Sequence, residues 1–360
     1  MAVRTFRCEY IWLDGGEVEQ SLRSKTMVLH LSKEESESIN LSDFPVWGFD
    51  GSSTMQADTS NSDCVLKPVF ACADPNRGTS ILVLCEVLNT DFSPHSSNTR
   101  AKLIDAIRAH VDQEPVVGFE QEYFLLKDGK PLGWPDDGET PGKQGPYYCA
   151  VGSGNVAGRD LVETHLGSCI TAGLSITGVN AEVALGQWEY QVGGPAVNAL
   201  LACDHLWIAR YLLQRLGEQS GVTVELDPKP VEGDWNGSGM HTNFSTKVMR
   251  SENGLEYIKV ACETLGLQSN VDNALNSYGE GIERRLTGEH ETCSHTEFRY
   301  GVSDRGASIR IPWHVGKSGR GYLEDRRPNS NADPYVVAAF LVSAVCPVLA
   351  NADDSAKDKE

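Results

Sequence analysis

The sequence predicts an α+β protein with a largely antiparallel sheet. Three observations carry that expectation. Up to about residue 97 the chain reads as short strands and turns. Beyond it, strand-rich segments at 116–127, 176–192, 222–227, 238–245 and 307–315 alternate with helical patterns at 158–173, 195–217 and 252–265. Finally, 179–192 reads as two short strands folded back around a turn at Leu185-Gly186.

Taken in order, strand signals open at Tyr10-Ile11-Trp12-Leu13 before the turn Asp14-Gly15-Gly16, and continue at 25–31 and 81–88. The polar, proline-containing stretch Phe92-Ser93-Pro94-His95-Ser96-Ser97 reads as a link, dividing the chain into domains 1–97 and 98–360. A helix then starts near Asn98-Thr99, with Leu103, Ile104, Ile107 and Val111 on one stripe. The apolar run from Val116 to Leu126 is β-branched and aromatic, the mark of a central strand. Pro195 reads as the start of the helix that reaches Gly217, and Asp333-Pro334 as cap and first position of a buried terminal helix. Residues 351–360 are polar and read as a frayed tail, and no internal repeat is visible.

The 360 residues suffice for a large core and two domains. A net charge of −19 argues against nucleic acid or an anionic membrane surface as partner. The N-terminus lacks an apolar signal core, and the longest apolar stretch, Tyr335 to Ala350, falls short of the roughly 20 residues that span a bilayer. Ten cysteines without any Cys-x-x-Cys indicate reduced thiols and a cytoplasmic location.

Chemistry enters with paired carboxylates. Glu120 and Glu122 lie at i and i+2 of the central strand and so share a face. If the following hairpin is symmetric, Glu182 and Glu189 are cross-strand partners. Like charges so placed ask for a cation or a shared proton. Either pair alone is as readily a solvated face. Together, among Phe, Trp, Val and Leu, the four favour a hard divalent ion, Mg2+ or Mn2+.

Two motif-like segments fail on spacing. The glycine run at 152–158 has one residue too many for a dinucleotide fingerprint, and His290 and His295 are five apart where a zinc-protease helix needs four. In Trp235-Asn236-Gly237-Ser238-Gly239-Met240-His241, the glycines allow close approach of a ligand. There His241 becomes a candidate metal ligand beside the carboxylates. The C-terminal third is rich in arginine: Arg284, Arg285, Arg305, Arg310, Arg326 and Arg327. Arginine forks grip carboxylate and phosphate oxygens; Arg284 and Arg327 read as surface ion pairs. An extended 322–326 would set Glu324 and Arg326 on one face. With no P-loop, the pattern suggests metal-dependent phosphoryl transfer of another class.

Phe49-Asp50-Gly51-Ser52-Ser53-Thr54, Glu120-x-Glu122, Asn180-Ala181-Glu182, Gln187-Trp188-Glu189, Asn236-Gly237-Ser238-Gly239-x-His241, Arg285-Leu286-Thr287-Gly288, Asp304-Arg305-Gly306 and Glu324-Asp325-Arg326-Arg327-Pro328 occur in this order. Together they closely resemble the glutamine synthetase family, in its shorter, eukaryotic-type form, over nearly the whole chain. The resemblance implies a small β-grasp-like N-terminal domain and a catalytic domain with a curved antiparallel sheet flanked by helices. It implies ATP-dependent ligation of ammonia to the γ-carboxylate of L-glutamate through γ-glutamyl phosphate, with two or three Mg2+ or Mn2+ ions per site. By the same resemblance Glu122, Glu182 and Glu189 hold one ion, and Glu120, His241 and Glu324 the other. Asn236, Gly237, Arg285 and Arg326 bind glutamate. Asn243, Ser245, Tyr322, Arg305 and Arg310 meet the nucleotide. Asp50 binds and deprotonates ammonium, Glu291 closes a flap, and Arg305 and Arg326 act in catalysis. The subunits would form two stacked pentameric rings whose sites are shared between neighbours. One departure is Glu289, an acidic residue in the flap where an apolar one is expected. Rival readings are a glutamate–polyamine ligase, which would need a wider and less acidic amine pocket, and a non-catalytic structural relative, which should have lost metal ligands. A guanidino kinase shares the catalytic architecture, but its residues do not match.

Overall fold

The computed structural model of the chain describes residues 3–32, 40–137, 139–143, 145–195 and 197–357. The first sheet comprises β1 (Val3–Leu13), β2 (Leu22–Ser32), β3 (Trp47–Asp50), β4 (Asp63–Ala73) and β5 (Ser80–Leu88), in the order β2-β1-β5-β4-β3. Among the described residues of this sheet, only the β1–β5 pairing is parallel. Two of these strands, β3 and β4, escaped the sequence reading. The first is four residues long, and the second carries Lys67 and Pro68 and is irregular between Pro68 and Phe70.

Along its whole length β5 is buried, because each face serves a different core. Val83, Cys85 and Val87 pack with Tyr10, Phe49 and Leu66 inside the small sheet's own cluster. Leu82 and Leu84 point the other way, into the main core of the molecule. The period-two alternation of one strand thus joins the two halves.

The link after β5 pairs back on it, with Pro94 bridged to Leu88. Next comes α1 (Thr99–Ala109), whose Asn98 cap accepts from the amide of Ala101. The helix stops before Val111, which is 61% exposed and no part of the predicted stripe.

The second sheet is nine-stranded. Its path is β12 (Tyr300–Val302), β13 (Ile309–Ile311), β14 (Leu323–Asp325), β11 (Met240–Ser245), β6 (Val116–Lys127), β9 (Gln187–Gly193) and β8 (Ile176–Ala181), with β7 (Lys130–Pro131) and β10 (Thr223–Glu225) also on β6. All its pairings are antiparallel except β12–β13. The predicted strand at 307–315 is shorter than expected: after Pro312 the chain turns into a short helix, α7 (Trp313–Ser318).

Around this sheet lie α2 (Arg159–Thr171), α3 (Ala199–Ser220), α4 (Gly254–Leu265), α5 (Gln268–Ser277), α6 (Ile282–Arg285) and α8 (Pro334–Lys357). Helix α3 begins later than Pro195, because Asn198 takes the cap and accepts from the amide of Leu201. Helix α8 also departs from expectation. It continues through the polar segment to Lys357, so the tail is helical to that point; 358–360 lie outside the described residues. Its 20 residues Pro334–Asp353 are long and apolar enough to cross a membrane by length and composition, yet Val337, Leu341, Val342, Val345 and Leu349 are completely buried in the main core.

Two buried polar ties hold the helices. Arg100 grips Asp204 with two hydrogen bonds of 2.9 Å, and the hydroxyl of Tyr335 donates to the same carboxylate at 2.6 Å, joining α1, α3 and α8. Behind the sheet, Arg210 of α3 donates from Nε and Nη2 to the Gln121 amide oxygen on β6, at 2.9 and 2.6 Å, and from Nη2 to the carbonyls of Ser330 and Ala332. Gln121 in turn donates to the carbonyls of Glu122 and Ser330.

Candidate active site

The open face of β6 carries the site. Gln121 points back toward α3, so Glu120 and Glu122 point forward together, as the i, i+2 spacing requires. Each then belongs to a separate cluster. Strand pairing sets His241 opposite Glu120 and Glu122 opposite Glu189. Glu120, His241 and Glu324 form one group of potential ligands, and Glu122, Glu182 and Glu189 the other; within each group the ligand atoms lie within 4.8 Å of one another.

The hairpin is not symmetric as predicted. Glu189 lies opposite Asn180, not Glu182, because the turn shifts the pairing by two residues and the amide of Glu182 bonds the carbonyl of Gln187. Glu182 still reaches the cluster, since it sits two residues beyond Asn180 on the same face. The direct cross-strand partner of Glu189 is Glu122. Two like charges face each other there, the arrangement that repels most.

Electrostatics follow from that crowding. Burial raises Glu122 to about 7 and Glu182 to about 8, and lifts Glu189 well above the ordinary carboxylate range. Neighbouring carboxylates push Glu182 and Glu189 further in the same direction, while Arg285 opposes the rise at Glu122. In the other cluster, burial and then the charge of Arg326 hold the His241 imidazole well below its usual value, and so neutral. Its Nδ1 faces Glu120 at 3.6 Å and Glu324 at 3.5 Å. Glu324, 1% exposed, meets Arg310 and Arg326 at 2.7 Å each, one on either oxygen. An all-carboxylate group and a carboxylate–imidazole group fit hard or borderline divalent ions.

A cavity of about 570 Å3 opens above the clusters. Of the predicted residues, Glu120, Glu122, Glu182, Glu189, Asn236, Gly237, His241, Arg285, Glu291, Arg305, Arg310 and Arg326 line it. Asn243, Ser245 and Tyr322 line an adjoining, mostly apolar pocket of about 320 Å3 that shares Gln191 with the first. Asn243 spans the two, its amide donating to Glu120 at 2.8 Å. Asp50 is not brought to the cavity. It lies exposed at the end of β3, accepting from the Ser52 amide and hydroxyl and from the Ser53 hydroxyl.

The glycines at 237 and 239 leave room for the protein's own Arg285: a Cβ on Gly239 would stand 2.3 Å from Nη2 of Arg285. That guanidinium lies beneath the loop and bonds Nε2 of His241 and the carbonyls of residues 326–328. Arg327 is no surface residue. It is 4% exposed and bound by two nitrogens to the fully buried Asp325. Arg284, by contrast, makes half-exposed pairs with Asp227 and Glu232, as expected.

The residue pattern has its counterpart in known proteins. Residues 5–90 match the family model described as glutamine synthetase, beta-Grasp domain, and residues 98–260 the one described as glutamine synthetase, catalytic domain. Over 349 residues the chain is 55% identical to a glutamine synthetase of Streptomyces viridochromogenes, a match covering 97% of this chain and 99% of that one. The chain belongs to the glutamine synthetase family. A family member from Neurospora crassa is 50% identical over 336 residues, covering 93% of this chain and 90% of the other. The fold resembles that of glutamine synthetase from Plasmodium falciparum, solved by cryo-EM, with a TM-score of 0.75 at 16% identity over 96% of this chain and 72% of that one.

Sequence reasoning missed residues that hold the carboxylates and the neighbouring loop of this glutamine synthetase family member in place. Asn180 donates to Glu182 at 2.9 Å, and Gln191 donates to Asn180 at 2.8 Å and also to Glu189. Gln187 donates to the carbonyl of Gly237 at 3.0 Å. All three line the cavity, as does Tyr148. The signal was available for two of them: Gln187, Glu189 and Gln191 follow the period of two along β9.

Proposed function

We propose that this cavity is where the chain, a glutamate–ammonia ligase, carries out the ATP-dependent synthesis of glutamine, with Mg2+ or Mn2+ held by the two clusters. The observation that carries the reading is the pair of triads on neighbouring positions of one strand, Glu120 with His241 and Glu324, Glu122 with Glu182 and Glu189. Bound there, divalent ions supply Lewis-acid stabilisation of phosphate and carboxylate charge.

The chain's own residues do the rest. Asn236, Gly237 and Arg285 hold glutamate with its γ-carboxylate toward the clusters. The nucleotide enters by the apolar pocket at Asn243, Ser245 and Tyr322, with its phosphates reaching Arg305 and Arg310. A γ-carboxylate oxygen attacks the γ-phosphorus, the bond to ADP breaks, and Arg326 and Arg305 offset charge on the moving phosphoryl group. Ammonium then gives a proton to a carboxylate, the role proposed below for a neighbouring subunit's Asp50, and its nitrogen attacks the acyl carbon; the carbon–oxygen bond to phosphate breaks, and phosphate leaves with a second proton from that nitrogen. Glu291, on the flap, excludes water from the acyl phosphate.

Asp50 is proposed to complete a neighbouring subunit's ammonium site in a cytoplasmic ring assembly of two stacked pentamers. Its exposed carboxylate, away from its own cavity, supports that reading. A coupled assay comparing ammonium with putrescine, with Mg2+, with Mn2+ and after chelation, tests the proposal. Glutamine formation only with ammonium and metal is expected; preference for putrescine, or full activity in chelator, would overturn it.

A further inference from the structure

The rim of the cavity is built from three loops that the reaction scheme leaves unconnected. Gly145 and Tyr148 come from the loop before α2, Asn236 and Gly237 from the loop before β11, and His290, Glu291 and Thr292 from the flap, residues 287–296. One carboxylate touches all three. Asp234 bonds the ammonium group of Lys143 at 3.0 Å through Oδ2, and faces Nε2 of His290 at 3.1 Å through Oδ1. Lys143 holds the Asp234 carboxyl below the usual range, so it stays an anion. The loop that carries Asp234 is itself moored, since Arg284 pairs with Asp227 and Glu232 on it.

What this contact holds is a strained backbone. His290 and Glu291 are consecutive non-glycine residues in the left-handed region, with φ of 52° and 62°. Such conformations persist only where surrounding structure imposes them. On one side Arg326 donates to the carbonyl of Glu291 at 3.2 Å. On the other, the His290 ring is held by Asp234. Within the flap the amide and hydroxyl of Thr292 donate to the carbonyl of Glu289 at 3.1 and 2.7 Å, so the turn keeps its own shape and the contact with Asp234 bears on where it sits against the rim.

We propose that Asp234 is a positioning residue for the flap, and that the Lys143–Asp234–His290 bridge governs how the acyl phosphate divides between ammonia and water. The inference rests on the reaction proposed above. Exposed ion pairs hold weakly, so the effect is graded and not all-or-none.

The test compares Asp234→Ala, Asp234→Asn and Lys143→Ala in the assembled enzyme. Asp234→Ala should raise the ammonium KM about two- to five-fold and lift the ratio of ADP to glutamine above one at low ammonium. The KM values for glutamate and ATP should stay within about two-fold. Asp234→Asn, whose amide oxygen still accepts from His290, should recover most of the coupling, and Lys143→Ala should fall between. Hydrogen exchange of a peptide covering 287–296 reads the same latch without activity and should quicken by a similar factor in Asp234→Ala. If exchange and the ADP ratio both match wild type, or if all kinetic constants shift together, the positioning role is wrong. A wild-type protein that makes no glutamine would instead sink the reaction, while the exchange result would still decide the latch.

Discussion

Glu122, Glu182 and Glu189 converge in one buried corner, and their proton affinity follows from that. In the metal-free protein they prefer to stay protonated. Carboxyl groups raised from 4.5 to about 7 and about 8 contribute stability that is complete below pH 4.5 and lost as pH rises through 7 to 8. Melting curves in chelator should therefore fall progressively between pH 5 and 8.5, and the gain on adding Mg2+ or Mn2+ should widen over the same window. A metal-free melting temperature that rises toward pH 8 would contradict the burial argument. Glu122→Gln removes a charge while keeping volume, so the chelated protein should melt at or above the wild-type temperature. Glutamine formation in that variant should drop on the order of 100-fold. Arg326 faces the other cluster, and its proposed partner gains charge only as the phosphoryl group moves. Arg326→Ala should then lower kcat while ATP binding by calorimetry stays near wild type; a defect confined to the ATP KM would assign it a binding role instead.

At the level of strands and helices, what was legible depended on length and symmetry. The forward-facing pair Glu120 and Glu122 followed from period two alone, and β6 is long and apolar enough to announce itself. The Glu182–Glu189 pairing failed because it assumed an even turn, and no spacing in the sequence reveals that β9 sets Glu189 against Glu122. The segments β3 and α7 are four and six residues long, too short for a periodic signal to accumulate, and β13, three residues long, was read as part of a longer strand. Burial was misjudged at Arg327, whose charge suggested the surface; β14 takes it inside to Asp325, where Tyr278 adds a hydrogen bond of 2.9 Å. Arg327→Ala leaves a buried carboxylate without its cation, and about 3–5 kcal/mol of stability should be lost in denaturant titration. Arg284→Ala, a half-exposed pair, should cost about 1 kcal/mol or less.

Across the molecule, site residues divide unevenly between the two sheets. Asp50 alone lies on the first, facing outward, while the clusters belong to the second. The motif order singled out Asp50, and the chain's own fold leaves it away from the cavity, which is why a shared site is proposed. Dissociating and reassembling a mixture of Asp50→Ala and Glu122→Gln subunits should restore activity, since chance pairing leaves about a quarter of the junctions with two intact halves. A mixture as inactive as either parent would mean that each chain builds its own site.

The guanidinium behind the sheet has a consequence for how β6 finds its place. A slip of one residue along this strand would turn Glu120 and Glu122 into the apolar interior and send Gln121 out to the cavity. The acceptors that Arg210 finds at Gln121, Ser330 and Ala332 belong to three positions of the chain, so a slipped strand would also strand a buried cation. A neutral core would tolerate the wrong alignment far better. Arg210 thus penalises misalignment from the back of the sheet, and so fixes which way the two glutamates look.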